Sequence, residues 1–144
     1  MYATMTFPAQ RPQTAHANAY RQIGVQTGVE SASPHRLVAM LFDGFVENVL
    51  RAKAAIAQGQ IEQRGQAIGR AMRIVDEGLK ASLDLKAGGT LARDLADVYA
   101  YVTLRLTQAN LHNDVAALDE CQAVMQPLRQ AWDSIAPQVD GARA

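Results

Sequence analysis

The apolar residues of this sequence recur every three or four positions in four separate segments, and nowhere do they alternate with a period of two. Spacing of that kind lines one face of an α-helix, whereas a half-buried strand requires alternation. The pattern therefore predicts an all-α fold. In the first segment the stripe is Val38, Leu41, Phe42, Phe45, Val49, Ala52 and Ile56. Ser33-Pro34 precedes it: serine accepts a bond from an unpartnered backbone N–H, and proline at the first helical position gives up a donor that has no helical acceptor. Gly59 ends it. The second stripe begins near Gln60 and carries Ile61, Ile68, Ala71, Val75, Leu79 and Leu83. Three glycines, Gly65, Gly69 and Gly78, lie within it, each costing up to about 1 kcal/mol relative to alanine. They permit close helix contact or make this the softest helix.

Lys86-Ala87-Gly88-Gly89 is the clearest loop. Beyond it come Leu91, Leu95, Val98, Val102, Leu106 and Ala109, ending near Asn110. Asn113 is placed to cap a fourth helix with the stripe Val115, Leu118, Cys121, Met125, Leu128, Trp132 and Ile135. Pro127 falls inside that stripe, predicting a kink or a missing bond around Ala123 to Pro127. Four helices with short links favour an antiparallel four-helix bundle. At 144 residues the chain fits one domain. The division expected is a mobile N-terminal arm over 1–19, a helical-bundle domain over 20–137 and a flexible tail over 138–144. The glycine-containing stretch that starts the domain is too short to stand alone, and if ordered forms a short cap helix on the bundle.

Chemistry is harder to find. Fourteen basic and fourteen acidic side chains give a formal net charge of zero, which argues against the basic surface that nucleic-acid binding needs. One cysteine, Cys121, excludes an internal disulfide and a cysteine metal cage, and its place on the core stripe reads as a buried thiol. The first ten residues do not form a secretory signal and no window is apolar enough to span a membrane, so the expected location is the cytoplasm. His16, His35 and His112 lack the carboxylate or histidine at helical spacing that would build a metal site. Gly88-Gly89-Thr90 lacks the lysine of a phosphate-binding loop and follows no strand. No catalytic residue, metal or cofactor is expected, and the chain reads as a non-enzyme.

Two helices instead carry more apolar surface than a bundle seam requires. The first has a second row at Leu37, Met40 and Gly44, and the third one at Tyr101, Leu104 and Leu111, broken by Gln108. Such rows either face a partner or are covered by the segment around Tyr20 to Val29. Periodicity leaves both open, along with a purely homo-oligomeric bundle in which the rows face another copy.

With the helices placed, the chain resembles the flagellin-specific export chaperone family (FliS). The resemblance is carried by Tyr20-Arg-Gln-Ile-Gly-Val25, by Ser31-Ala-Ser-Pro34 with Leu37, Met40, Leu41, Phe42, Asp43 and Gly44, and by Leu79, Ala81, Leu83, Asp84 and Gly88-Gly89. It continues through Tyr99, Tyr101, Leu104, Leu106, Ala109, Asn110, Asn113 and Asp114 to Leu128 and Trp132. Three departures are an arm before Tyr20 longer than the family's, Ala17, where family members can carry a larger apolar residue, and Pro127. The resemblance implies binding of the C-terminal helical segment of flagellin, which blocks premature polymerisation and keeps the chain competent for flagellar type III export. It also implies docking on a flagellar export gate component and, in some cases, on flagellar regulators. The residues expected to form the flagellin groove are Leu37, Met40, Tyr101, Leu104 and Leu111, with Asn110 and Asn113 as polar partners. Tyr20, Ile23 and Val25 are expected to act as an N-terminal gate, because a tyrosine ring with an apolar body and a polar tip suits a groove edge. A homodimer of the free chain is compatible with the same rows.

Overall fold

In the computed structural model, residues 32–135 are described, and among them four helices pack as an antiparallel bundle. Helix α1 spans Pro34–Ala57, α2 Ile61–Arg73, α3 Gly89–His112 and α4 Val115–Ser134. A seven-residue π-helical stretch, Ile74–Lys80, prolongs α2. The predicted gate residues Tyr20, Ile23 and Val25, the arm over 1–19 and the tail over 138–144 lie outside the described residues.

The cap signals act as read. Ser33 Oγ accepts from Arg36 N at 3.1 Å, and Pro34 opens α1. Gly59 takes a positive φ of 70° in the short turn to α2, a backbone conformation that glycine adopts without a Cβ penalty. The α3–α4 turn differs from the sequence reading. Asn113 does not cap α4; it ends α3 in the left-handed conformation, φ 52°. Asp114 is the cap, its Oδ1 accepting from Ala117 N at 3.1 Å. Asparagine tolerates the left-handed region and aspartate is an equally good N-cap, so the cap sits one residue further along than predicted and α3 runs past Asn110 to His112.

Pro127 does not break α4, which is continuous through it. Both Pro127 and Ala123 are on the exposed side, where a carbonyl that has lost its helical donor bonds water instead. Leu83 lies beyond the end of the second helix, in the turn region, because the chain leaves helical geometry after Lys80.

Each helix packs on its sequence neighbours, and α4 closes the ring against α1. Leu41, Phe45, Val49 and Ala52 of α1 meet Ile68, Ala71, Ile74 and Val75, then Val102, Leu106 and Ala109, then Ala117 and Leu118; none keeps exposed surface. Each large apolar side chain buried this way stabilises the fold by roughly 1.5–3 kcal/mol. Cys121 sits in this core, and burial pushes its thiol up to about 11. A neutral thiol is a weak nucleophile, consistent with a packing role.

Candidate partner-binding surface

The two surplus rows end in different places. Leu37 and Met40 are 3% and 6% exposed and belong to the core cluster, and Gly44 is buried with them. Leu37 and Met40 therefore do not stand open in this structure: every residue of α1 from Leu37 to Phe42 is buried. On α3 the row is open. Tyr101 is 43% exposed, Leu104 53% and Leu111 71%, all on the outer side of the helix. Leucines and a tyrosine left in water along one helix are the kind of surface that partner binding covers.

Polar groups fix the edges of this row. Tyr101 Oη donates to Glu120 Oε2 of α4 at 2.6 Å, and Arg105 Nε donates to Glu120 Oε1 at 2.7 Å. Arg105 also donates to Gln108. The two bonds, from Tyr101 first and Arg105 second, hold the Glu120 carboxyl below its usual range. The same bond to Glu120 raises the Tyr101 hydroxyl. Tyr101 is thereby tethered to α4 while its side chain stays partly exposed. On the other side, Asn110 and Asn113 do not stand free: Arg64 of α2 donates through Nε to Asn110 Oδ1 at 3.0 Å and through Nη1 to Asn113 Oδ1.

A second feature was not anticipated. At the end of the bundle where α1 starts and α4 finishes there is an apolar cavity of about 550 Å³. Val38, Phe42, Leu79, Leu83, Leu95, Tyr99 and Leu128 form much of its wall. Leu91, expected in the core, is 68% exposed at this cavity, because the chain ahead of it is an irregular turn rather than a packed helix. One wall is a reciprocal clasp. His35 Nε2 donates to the Trp132 carbonyl at 2.7 Å, Trp132 Nε1 donates to the His35 carbonyl at 2.9 Å, and the rings stack with centroids 4.8 Å apart. Sequence reading missed this pocket because Leu83, Leu91 and Leu95 look like ordinary stripe residues. The available signal was the glycine-rich loop between them, which leaves nothing large opposite their side chains.

Among the described residues no group of three or more His, Cys, Asp or Glu side chains is close enough to hold a metal ion. No described helix is long and apolar enough to cross a membrane. The arrangement offers apolar surface and a socket, the equipment for holding a polypeptide.

Comparison with known proteins agrees with this. The model of the family described as flagellar protein FliS matches residues 16–139. The flagellar secretion chaperone FliS of Salmonella typhimurium is 43% identical over 119 residues, covering 83% of this chain and 88% of that protein. Its Escherichia coli namesake is 40% identical over 114 residues, 79% and 84% of the two chains. That of Bacillus subtilis is 28% identical over 123 residues, 85% and 84%. With a family match across most of its length, and relatives this similar end to end, the chain belongs to the FliS family of flagellar proteins.

Proposed function

We propose that this protein is a flagellar secretion chaperone that binds the C-terminal helical segment of flagellin before export. The observation that carries the reading is the open row Tyr101, Leu104 and Leu111 on a bundle whose other large apolar residues are mostly packed away. A flagellin segment destined for a filament core must bury its apolar face somewhere until assembly. A chaperone that covers that face in the cytoplasm prevents premature polymerisation and leaves the chain unfolded enough to be exported. Folding on binding costs a few kcal/mol of ordering, so the receiving surface has to be long and apolar. The row on α3 supplies length, and the end cavity supplies a socket for a large side chain. The loaded complex then docks on a flagellar export gate component, and the chaperone also contacts flagellar regulators. No catalytic step is part of this role.

The test is titration calorimetry with a peptide spanning the C-terminal helical segment of flagellin. One-to-one binding with a negative heat-capacity change supports the reading. No binding at micromolar concentrations sinks it.

A homodimer of the free chain has its own support on α1. Val46 is 38% and Leu50 51% exposed, and Ala54 and Ala57 continue the stripe in the open. Glu47 and Arg51, paired at 2.6 Å, flank it with opposite charges that would also complement an antiparallel second copy. Loss of the dimer in Leu50→Glu, measured by sedimentation, is the expected result; an unchanged mass distribution removes this surface from consideration.

A further inference from the structure

We propose that Arg64, held in place by Asn110 and Asn113, is a docking point for a side-chain carboxylate of the bound flagellin segment. The inference rests on the flagellin reading above and adds a polar anchor to it. Arginine has five N–H donors and no acceptor. Two of them are spent on the asparagine oxygens, through Nε and Nη1. That fixes the plane of the guanidinium across the α2–α3 interface and leaves the remaining N–H on Nη1 and both on Nη2 for a ligand. Both acceptors are neutral amides. No carboxylate among the described residues pairs with Arg64, nor with Arg36, Arg70, Arg73, Lys86 or Arg93, but of these six only Arg64 has its side chain held by two other side chains. A side chain fixed in position with its charge uncompensated is arranged for an anion from outside, and a planar fork fits a carboxylate.

The surroundings narrow the ligand further. Among the described residues Arg64 is the one charged side chain lining a hollow of about 270 Å³ whose other walls include Ala55, Ile56 and Ile61. Ile61 is 69% exposed beside it. The hollow therefore accepts an acidic residue with an apolar neighbour, as occurs along an amphipathic helix. Position agrees: Asn110, which holds Arg64, is adjacent in sequence to Leu111, the most exposed member of the α3 row. A helix lying on Leu104 and Leu111 presents its side chains to this end without having to terminate there. That favours a side-chain carboxylate over the chain's terminal one. The asparagines, expected from the sequence to touch flagellin directly, become positioning residues.

The experiment is calorimetry of wild type, Arg64→Gln and Arg64→Lys against the flagellin C-terminal peptide. The peptide is used as the free acid, with an amidated end, and with each acidic residue changed to its amide. Circular dichroism confirms that the variants keep their helical content. Arg64→Gln should weaken binding about five-fold, the upper range for a partly exposed ion pair, and Arg64→Lys by less. The gap should narrow at high salt. One acidic-to-amide peptide should bind wild type as weakly as the normal peptide binds Arg64→Gln, with no further loss when the two changes are combined. Unchanged affinity in Arg64→Gln overturns the proposal, as does an equal loss with every peptide, which marks a purely structural bridge. Coupling confined to the amidated end overturns the side-chain assignment. If wild type binds none of the peptides, the flagellin reading itself has failed and this inference goes with it.

Discussion

Helices α1 and α3 have the same length and, in the sequence, the same peculiarity: a second apolar row beside the core stripe. In the fold they are opposites. Thirteen residues of α1 are buried against five of α3, so α1 is an axis of the bundle and α3 a wall. The row Leu37–Met40–Gly44 is interior packing, and the row Tyr101–Leu104–Leu111 is surface. A helix's own pattern tells how much of it dislikes water, but which side finds cover depends on where its neighbours lie. The charged residues beside each row carry part of that information. Over 35–42 the only charged side chain of α1 is Arg36, whereas the outer side of α3 carries Arg93, Asp97 and Arg105. Burial of isolated charges is costly, so a row interleaved with them stays in water.

The contrast breaks most visibly at α1. Leu37→Ala and Met40→Ala should each cost about 2–5 kcal/mol in urea unfolding, as truncations in a filled core do. A cost below about 0.5 kcal/mol for Leu37→Ala would put that row back on the surface.

The next effect sharpens the comparison within α3, where two tyrosines two residues apart face opposite ways. Burial pushes Tyr99 up to about 12, while Tyr101 is raised chiefly by its bond to Glu120. A raised folded-state value means the stability contribution is intact below pH 10, the unfolded value, and is lost as pH climbs towards 12. Tyr99→Phe should remove much of that alkaline loss, on the order of 2 kcal/mol at 1.36 kcal/mol per unit. Tyr101 is exposed and its bond to Glu120 is screened by water, so Tyr101→Phe should remove far less of that loss, as thermal melts across pH 9 to 12 would show.

Smaller again is the clasp that ties the start of α1 to the end of α4. Trp132→Phe removes the bond to the His35 carbonyl and should cost about 1 kcal/mol in the same urea assay. A wild-type midpoint would mean that water replaces the indole donor. Smallest in stability is Leu104→Glu, expected within about 0.5 kcal/mol of wild type, yet with flagellin-peptide affinity falling by at least roughly ten-fold, about 1.4 kcal/mol. Unfolding by this substitution would make Leu104 a core residue, and unaltered affinity would move the binding surface elsewhere.

Much of this was readable in advance for physical reasons. Ser33-Pro34, Gly59 and the Lys86–Gly89 loop placed the helices because caps and turns are local chemistry. Cys121 and the four stripes placed the core because helical period is local too. Which of the two surplus rows stays open and which is buried, and the grip of Arg64 on Asn110 and Asn113, were not readable. Each depends on which helices stand side by side, and the Arg64 contact joins residues 46 and 49 positions apart. The cavity beside Leu91 is lined by the irregular turn between Lys80 and Gly89, where the helical period that Leu83 and Leu91 suggest is interrupted.

The π-helical stretch Ile74–Lys80 bears on how the gene can change. Each of its turns holds more residues than an α-turn, so the stretch behaves as a local surplus of chain inside an otherwise regular helix. Losing one residue from α1 between Leu41 and Val49 would swing everything beyond it by about 100°, turning core residues outward. Losing one from the surplus, at exposed Asp76 or Glu77, needs only a tightening to α geometry. Length variation within a helix should be tolerated there and almost nowhere else in the bundle.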